Sequence, residues 1–270
     1  MPELPEVETT RRGIAPHLTG RTIRQVLVRE PRLRWPVSPL LGQAVTGRAV
    51  RGVARRAKYL MIGFDNGMVM IHLGMSGSLR VLPGDTEPGK HDHLDFHLDS
   101  GRLLRYRDPR RFGSVFWVPE GDAHPLLQSL GPEPLSPDFD GDYLFAQSRG
   151  KKAPVKSFIM DSHLVVGVGN IYANEALFAA GIRPTRLAGT ISRARYERLA
   201  GAIKTVLSRA IEAGGTTLRD FVREDGSPGY FRMDLKAYGR GGEPCIECGR
   251  RLAEIRLGQR TTVFCTRCQD

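Results

Sequence analysis

The stretch Tyr59-Leu-Met-Ile-Gly-Phe-Asp-Asn-Gly-Met-Val-Met-Ile-His-Leu73 contains two apolar runs separated by an Asp-Asn-Gly turn. Long apolar, aromatic and β-branched side chains dominate both runs, which is typical of strands in a buried sheet. The Asn-Gly pair between them favours a tight reversal of the chain. The stretch therefore predicts two antiparallel strands, over residues 59–64 and 68–73.

Similar short strands are predicted on both sides of this hairpin, from about residue 22 to about residue 118. The run Leu103-Leu-Arg-Tyr106 is one of them, and turns separate the runs at Pro83-Gly-Asp85 and Asp99-Ser-Gly101. Strands at this spacing predict an antiparallel sandwich or barrel. The sequence shows no βαβ alternation and no internal repeat.

The rest of the chain has a different character. The proline-rich segment Gly131-Pro-Glu-Pro-Leu-Ser-Pro137 marks a domain boundary, and helical patterns follow over residues 170–180 and 192–213. Glycine and polar residues dominate positions 214–230, which predicts a mobile loop. We therefore expect a multi-domain α+β protein with domains at residues 1–131, 132–237 and 238–270.

The chain carries a strong excess of positive charge. Among its 270 residues, 40 Lys and Arg oppose 29 Asp and Glu, which gives a net charge of +11. Such an excess predicts a polyanionic partner, most commonly nucleic acid. An anionic membrane surface is the competing partner, but the sequence has no long basic amphipathic helix and no apolar run long enough to span a bilayer. We expect no membrane association.

We also expect a cytoplasmic protein. The N-terminal residues are acidic and lack the apolar stretch of a secretory signal. All four cysteines lie between residues 245 and 268, so the rest of the chain has none for a disulfide framework. A reducing compartment follows from these two observations.

The C-terminal cysteines have the spacing of a metal site. Cys245-Ile-Glu-Cys248 and Cys265-Thr-Arg-Cys268 are separated by sixteen residues, and two such knuckles supply the four thiolates that zinc prefers. We predict one structural Zn²⁺, because a module this small has little core without a metal. An iron–sulfur cluster, a redox pair and reduced structural cysteines are the alternatives. Arginines around the cysteines predict a nucleic-acid contact: Arg240, Arg250, Arg251, Arg256, Arg260 and Arg267.

The segment Met1-Pro-Glu-Leu-Pro-Glu6 predicts the start of a helix, because acids come first and Arg11 and Arg12 follow. Removal of Met1 would leave Pro2 with a free secondary amine beside Glu3. An α-amino group with a pKa near ~8 is far more nucleophilic at neutral pH than a lysine near ~10.4, and an amine can form a Schiff base with an aldehyde-like carbon. The alternative is an ordinary frayed terminus.

The segment Val166-Gly-Val-Gly-Asn170 precedes the helix predicted at residues 170–180. Glycines allow a ligand to approach the backbone closely, and a helix N-terminus offers N–H groups to an anion. The segment therefore predicts a phosphate contact. An ordinary N-cap at Asn170 is the alternative, and the two are compatible.

Together these segments resemble the bacterial formamidopyrimidine-DNA glycosylases, enzymes that remove oxidised purines such as 8-oxoguanine. The resemblance covers essentially the whole chain. It implies an N-terminal β-sandwich with a catalytic N-terminal helix, a helix–two-turn–helix module and a C-terminal zinc-finger β-hairpin. It also implies that DNA lies in a basic cleft between the lobes. Six segments carry it: Met1-Pro-Glu-Leu-Pro-Glu-Val-Glu8, His72-Leu-Gly-Met-Ser-Gly-Ser-Leu79, Asp108-Pro-Arg-Arg-Phe-Gly113, Val166-Gly-Val-Gly-Asn-Ile-Tyr-Ala-Asn-Glu175, Gly214-Gly-Thr-Thr-Leu218 and the four-cysteine tail.

The resemblance also implies catalytic roles. Pro2 matches the nucleophile that attacks C1′ of the damaged nucleotide, and Glu3 matches the general acid/base at the sugar ring oxygen. Lys58 matches the lysine that assists β-elimination, and Arg260 matches the zinc-finger arginine that grips phosphate for δ-elimination. Without the resemblance, Lys58 would be taken for part of a solvated basic face.

Matching positions imply contacts with damaged double-stranded DNA from four residues: His91, Arg110, Lys151 and Asn170. Met75 and Phe112, with Arg110, match the side chains that fill the space left by an everted base. Core packing is the alternative for Met75 and Phe112. Residues 214–230 match the loop that folds over the everted purine, with a plain surface connection as the alternative. Because His91, His93, Asp95 and His97 alternate along one predicted strand face, a second metal site is a further alternative.

Two other functions compete with oxidised-purine repair. Endonuclease VIII-type enzymes prefer oxidised pyrimidines, but that branch usually has glycine where this chain has Leu4. A non-catalytic zinc-finger DNA-binding protein would use the charge and the cysteines equally well, but it leaves Pro2 beside Glu3 unexplained. We therefore expect a monomeric DNA glycosylase and AP lyase of base excision repair, in the bacterial cytoplasm or nucleoid.

Overall fold

The computed structural model describes residues 2–215 and 235–270. These residues form two compact units, one of residues 2–128 and 211–215 and the other of residues 129–210 and 235–270. The domain boundaries predicted after residues 131 and 237 stay predictions. Within the described ranges, no helix is long and apolar enough to cross a membrane.

The described residues before position 129 contain eight strands: β1 (Ile23–Val28), β2 (Gly52–Arg56), β3 (Tyr59–Gly63), β4 (Gly67–His72), β5 (Ser78–Pro83), β6 (Asp92–Leu98), β7 (Arg102–Arg107) and β8 (Ser114–Pro119). They pair antiparallel in two four-stranded sheets, with the orders β1-β6-β7-β5 and β2-β3-β4-β8. The predicted antiparallel β-sandwich is confirmed.

The hairpin predicted around the Asp-Asn-Gly turn is formed by β3 and β4. Leu60 and Ile62 are buried while their neighbours along β3 are not, because successive side chains of a strand point to opposite faces. Gly67 follows the turn with a φ of +147°, and a Cβ there would lie 2.3 Å from the Val118 carbonyl oxygen on β8. Glycine therefore allows the turn to pack directly against β8.

One apolar core joins the two sheets and the N-terminal helix α1 (Leu4–Leu18). It contains Leu60 from one sheet, Phe96 from the other, and Ile14 and Leu18 from α1. Each large apolar side chain buried in this way contributes roughly 1.5–3 kcal/mol. Packing therefore fixes α1 to the sandwich. The short helices α2 (Leu41–Val45) and α3 (Pro125–Gln128) complete this unit up to residue 128.

Helix α1 begins where the acid-first pattern predicts. Glu3 is its N-cap in an extended conformation, and the backbone N–H of Glu3 donates to Glu6 Oε2 at 2.8 Å. Pro5 occupies the first turn, where its missing N–H is not needed. Acidic side chains here also suit the positive end of the helix dipole.

The second unit is helical as far as its C-terminal hairpin. Its core contains Leu144, Leu177 and Tyr196. The helices that contribute to it are α4 (Gly141–Ser148), α5 (Val155–Ile159), α6 (Asn170–Ala179) and the part of α7 (Arg193–Gly215) up to residue 210, with a 3₁₀ turn at Ala188–Thr190.

The helices predicted at residues 170–180 and 192–213 are confirmed as α6 and α7. The predicted helix ends at residue 213, before Gly214 and Gly215, whereas α7 includes both glycines and is described up to Gly215. The loop predicted for residues 214–230 lies outside the described residues from position 216 onward.

The C-terminal hairpin consists of β9 (Ala253–Leu257) and β10 (Arg260–Phe264). Its small core places Leu252 and Val263 against Phe178 of α6. The Val263 N–H also donates to Asn174 Oδ1 at 2.9 Å, so a helix side chain replaces a missing strand partner. The predicted α+β order of sandwich, helices and terminal hairpin is confirmed.

Candidate active site and DNA-contact surface

Pro2 and Glu3 lie at the N-terminus of α1, as the sequence predicts. Pro2 is half-buried, whereas only 2% of the surface of Glu3 is exposed. The Glu3 carbonyl oxygen accepts the N–H of Val7 at 3.1 Å, which holds the residue at the start of the helix. The positive end of a helix disfavours a protonated amine. With Met1 removed, the Pro2 amine would lie at this positive end of α1, next to the buried Glu3 carboxylate.

Lys58 lies in the two-residue turn between β2 and β3. Ala57 before it has a φ of +54°. Arg55 Nη1 donates to the Ala57 carbonyl oxygen at 2.9 Å, and Arg55 Nε donates to Glu8 Oε2 at 3.1 Å. Because Glu8 belongs to α1, these contacts tie the Lys58 turn to the helix that directly follows the predicted catalytic residues Pro2 and Glu3.

Glu8 is a site residue that sequence reasoning missed. Arg11, Arg12 and Arg55 donate to its carboxylate at 2.7, 2.9 and 3.1 Å. Burial alone would raise the pKa of Glu8, but these hydrogen bonds outweigh it and lower the pKa to about 2. The i,i+3 and i,i+4 spacing of Arg11 and Arg12 is visible in the sequence. The contact from Arg55, 47 residues away, is not.

His72 is a second residue that sequence reasoning left without a role. Its Nδ1 accepts the Gly74 N–H at 3.0 Å, and its ring centroid lies 5.0 Å from that of Tyr59. Burial, and then the positive charges of Lys58 and Arg34, lower the pKa of His72 to about 4. The imidazole is therefore neutral near pH 7 and adds no positive charge beside Lys58.

Met75 and Phe112 project from two separate turns, and 39% and 44% of their surfaces are exposed. The Arg110 guanidinium lies 4.7 Å from the centroid of the Phe112 ring, within the range of a cation–π contact. The alternative that Met75 and Phe112 pack in the core is wrong. Exposed large apolar side chains such as these suit insertion between stacked bases.

Two of the alternating polar residues of β6, His93 and Asp95, have structural partners. Asp95 is fully buried and pairs with two arginines at 2.6 and 2.8 Å. His93 Nε2 donates to the Asp108 carbonyl oxygen at 2.7 Å. Within the described part of the chain, the cysteine cluster is the one group suited to hold a metal, so the second-site alternative has no support. His91 is half-buried just before the strand.

Lys151 and Asn170 belong to the second unit. Lys151 is exposed after α4, and Asn170 is the first residue of α6. The N-cap alternative for Asn170 is wrong, because Gly169 is the N-cap, in an extended conformation. Asn170 Oδ1 is buried without a hydrogen-bond partner. Since buried polar atoms are rarely left unpaired, this oxygen is suited to an external hydrogen-bond donor, whereas a phosphate oxygen would need the amide N–H₂ group of Asn170.

Arg260 is exposed at the start of β10. The two turn residues before it, Gly258 and Gln259, have φ values of +53° and +61°, as in the turns that favour tight hairpins. Lys156 of α5 is 1% exposed, and its Nζ donates to oxygens of the two residues after Arg260 at 2.9 and 2.7 Å. The backbone that carries Arg260 is therefore anchored to the helices of its own unit.

The four cysteines converge at one point. The Cys245 and Cys268 sulfurs lie 4.0 Å apart, those of Cys248 and Cys265 lie 3.5 Å apart, and all four lie within 4.8 Å of one another. With Zn–S bonds of about 2.3 Å, the sulfurs of a tetrahedral site are separated by about 3.8 Å. The cluster therefore fits zinc, and four sulfur ligands leave no position for a substrate.

Comparison with known proteins matches three successive segments of the chain to domains of known families. Residues 1–115 match the formamidopyrimidine-DNA glycosylase N-terminal domain, residues 130–222 the formamidopyrimidine-DNA glycosylase H2TH domain, and residues 242–270 the zinc finger found in FPG and IleRS. The chain is 61% identical over 269 residues to the formamidopyrimidine-DNA glycosylase of Stenotrophomonas maltophilia (strain K279a), with 100% of each chain covered. The chain belongs to the formamidopyrimidine-DNA glycosylase family.

Solved structures of this family share the fold. The chain is similar to Lactococcus lactis FPG (MutM) in complex with a FAPY-dG containing DNA, with a TM-score of 0.89, 32% identity and 99% of each chain covered. It is also similar to the MutM (FPG) protein of Thermus thermophilus, with a TM-score of 0.85, 42% identity and coverage of 99% of this chain and 98% of the other.

Family membership confirms the β-sandwich, the helix–two-turn–helix module and the zinc finger with its one structural zinc. It also makes this chain a DNA glycosylase of oxidised-purine repair, with the AP lyase activity that is general in the family.

Proposed function

We propose that Pro2 is the nucleophile that acts on damaged double-stranded DNA. With Met1 removed, its nitrogen attacks C1′ of the damaged nucleotide, the glycosidic bond breaks, and the purine leaves with the bonding electrons and takes up a proton. The nitrogen then loses its proton, Glu3 protonates O4′ as the C1′–O4′ bond opens, and the nitrogen lone pair forms a C1′=N iminium. The position of Pro2 beside the buried Glu3 at the start of α1 supports this proposal.

The iminium makes strand cleavage possible because it acidifies the neighbouring sugar protons. Loss of a C2′ proton expels the 3′ phosphate by β-elimination, and loss of a C4′ proton then expels the 5′ phosphate by δ-elimination. We assign assistance of the first elimination to Lys58, which the contacts from Arg55 and Glu8 hold near α1. Arg260 stabilises the charge of the leaving phosphate, since a guanidinium does not give up its proton near neutrality.

Other side chains are assigned to the DNA. His91, Arg110, Lys151 and Asn170 contact the DNA. Met75, Arg110 and Phe112, called the wedge below, fill the gap left by the everted nucleotide. The exposure of Met75 and Phe112 and the Arg110 guanidinium over the Phe112 ring support the wedge. Residues 1–131 form the catalytic domain, 132–237 the helix–two-turn–helix domain with the lesion-capping loop, and 238–270 the zinc finger.

We assign 8-oxoguanine and formamidopyrimidines as the substrate class. The L. lactis relative is bound to DNA that contains FAPY-dG, and Leu4 together with the complete wedge favours purines over the oxidised pyrimidines of the endonuclease VIII type. The enzyme acts as a monomer in the bacterial cytoplasm or nucleoid. The non-catalytic alternative again leaves the Pro2–Glu3 pair without a role.

Two variants test this proposal. In Pro2→Gly, cleavage of a duplex with 8-oxoguanine opposite cytosine should be lost, while the affinity for a duplex with a stable abasic-site analogue is kept. In Glu3→Gln, base release should slow by about 10²–10⁴-fold, the usual contribution of a general acid/base. Undiminished cleavage by Pro2→Gly would contradict the assignment of the nucleophile, and loss of binding in both variants would show only that α1 was disturbed.

A further inference from the structure

Asp108 is a fully buried carboxylate that bonds to both turns of the wedge. Its Oδ1 accepts the Ser76 hydroxyl at 2.7 Å and the Arg110 backbone N–H at 3.2 Å. Ser76 directly follows Met75 in the chain. One carboxylate oxygen therefore joins the turn of Met75 to the turn of Arg110.

The second oxygen of Asp108 has two donors of its own. Oδ2 accepts the Tyr106 hydroxyl at 3.1 Å and the Gly113 backbone N–H at 2.9 Å. Burial, and then the charge of Asp108, raise the pKa of Tyr106, so its hydroxyl keeps the proton that it donates. All four donors are uncharged. A buried anion held in this way depends on the position of every donor, because a misplaced donor leaves charge uncompensated.

The two turns also touch directly through glycine. A Cβ at Gly74 would lie 2.5 Å from the carbonyl carbon of Phe112. At Gly113, a Cβ would lie 1.9 Å from the Tyr106 hydroxyl and 2.5 Å from the His72 carbonyl oxygen. Contacts this close leave little room for one turn to move relative to the other.

The backbone of Asp108 reaches a third segment of the DNA-contact surface. Its N–H donates to the His91 carbonyl oxygen at 3.0 Å, and its own carbonyl oxygen accepts from His93 Nε2 at 2.7 Å. The strand end that carries His91 is therefore connected to the same residue as the two turns.

We propose that Asp108 is a positioning residue that makes Met75, Arg110 and Phe112 one rigid wedge, which enters the duplex as a single body when a damaged nucleotide is everted. This inference rests on the proposed function. A wedge that is already rigid before DNA binds avoids the entropy cost of ordering separate side chains on binding. Its precision matters, because a misplacement of about 1 Å can cost about 10²-fold in rate.

Asp108→Asn tests the proposal with almost no change in size. Asparagine has one amide oxygen and one N–H₂ group, so in either orientation its nitrogen faces a backbone N–H, that of Arg110 or that of Gly113. One of these bonds is replaced by a repulsive contact. Asp95→Asn is the matched control, because Asp95 is equally buried in the same sandwich but bonds only to arginines away from both turns.

Each variant would be measured on two substrates. The first is a duplex with 8-oxoguanine opposite cytosine, and the second is a single-stranded oligonucleotide with an abasic site, which has no partner strand for the wedge to support. We expect Asp108→Asn to slow excision from the duplex by about 10- to 100-fold. Trapping of the single-stranded substrate by borohydride should be unchanged. In a Met75→Ala background, Asp108→Asn should add little further loss, because coupled residues are not additive.

Three outcomes would overturn the positioning role: equal losses on both substrates, a full additional loss in the Met75→Ala background, or the same substrate preference in Asp95→Asn. Any of these would show that Asp108 supports the fold in general. The failure of the proposed function would look different, since the unmodified enzyme would then form no adduct with the abasic oligonucleotide.

Discussion

Two hairpins carry the cations proposed to assist elimination, and each reverses the chain through a two-residue turn. Between β2 and β3 the turn is Ala57-Lys58, with a φ of +54° at Ala57. Between β9 and β10 the turn is Gly258-Gln259, with φ values of +53° and +61°, and Arg260 follows directly. Left-handed residues reverse the chain within two residues in both places. The length of the turn therefore does not distinguish the two hairpins, although the β9–β10 turn has two left-handed residues and the β2–β3 turn has Ala57 alone.

The surroundings of the two hairpins differ. β2 and β3 lie in a four-stranded sheet over the sandwich core, and Arg55 and Glu8 tie their turn to α1. β9 and β10 form a two-stranded sheet, which is marginal by itself. The cysteine cluster and Lys156 support it instead. In both hairpins a tight turn sets the direction of the cation. Packing against the sandwich makes the β2–β3 hairpin rigid, and the metal site makes the β9–β10 hairpin rigid.

Zinc removal should produce the largest difference between the two hairpins. A structural zinc contributes about 10–16 kcal/mol to the folding of a small finger, so chelation or Cys248→Ser should unfold the β9–β10 hairpin and abolish DNA binding. The sandwich should stay folded. The two tryptophans of the chain, Trp35 and Trp117, both lie in the first unit, so unchanged tryptophan fluorescence reports on the sandwich alone. A loss of the native tryptophan fluorescence on zinc removal would contradict the prediction that the sandwich stays folded without the metal.

Acid should weaken the first hairpin through Glu8. The pKa of Glu8 is about 2 in the folded chain against an ordinary 4.5, so its ionised form stabilises the fold above about pH 4.5, and this contribution disappears as the pH falls towards 2. The contribution is on the order of 3 kcal/mol. We expect Glu8→Gln to unfold at lower urea than the unmodified chain near neutral pH, by tryptophan fluorescence, and the difference to shrink below pH 4.5. A difference independent of pH would contradict this assignment.

Arg55 and Arg12 provide a sharper test of how the Lys58 turn is held. Both donate to Glu8, but Arg55 also reaches the Ala57 carbonyl oxygen. Arg55→Lys keeps the charge but loses the forked contact, and it should slow β-elimination at a pre-formed abasic site by about 10-fold. Arg12→Lys is the control and should leave that rate unchanged. Equal effects of the two variants would mean that the contact with the turn has no functional role.

Glycine substitutions in the turns should have the smallest effect. Ala57 and Gln259 adopt positive φ values that cost L residues roughly 1–2 kcal/mol and cost glycine nothing. Glycine, however, loses more chain entropy on folding. We therefore expect Ala57→Gly and Gln259→Gly each to change the free energy of unfolding by less than about 1 kcal/mol. A much larger change in either would show that the surroundings, and not the turn, dictate that backbone conformation.

The sequence predicted those features that depend on local signals. The β3–β4 hairpin, the start of α1, the helices α6 and α7 and the cysteine cluster all follow from turn residues, periodicity or spacing within short segments. The one-residue error at Asn170 arose because both Gly169 and Asn170 suit a helix cap.

The contacts that organise the site could not be predicted in this way. Arg55 reaches Glu8 across 47 residues, and Ser76 reaches Asp108 across 32. Such pairs become neighbours only when segments distant in sequence are placed side by side, and no periodicity within one segment encodes which other segment it meets. The sequence reveals the types of residue in the site, and the fold determines which of them act together.

Borohydride trapping tests the central claim most directly. The mature protein would be mixed with a duplex containing 8-oxoguanine opposite cytosine, reduced, and digested, and mass spectrometry would locate the cross-linked residue. We expect an adduct on the nitrogen of Pro2, in a chain that lacks Met1. An adduct on a lysine, or no adduct on a duplex that the protein binds and cleaves, would contradict it.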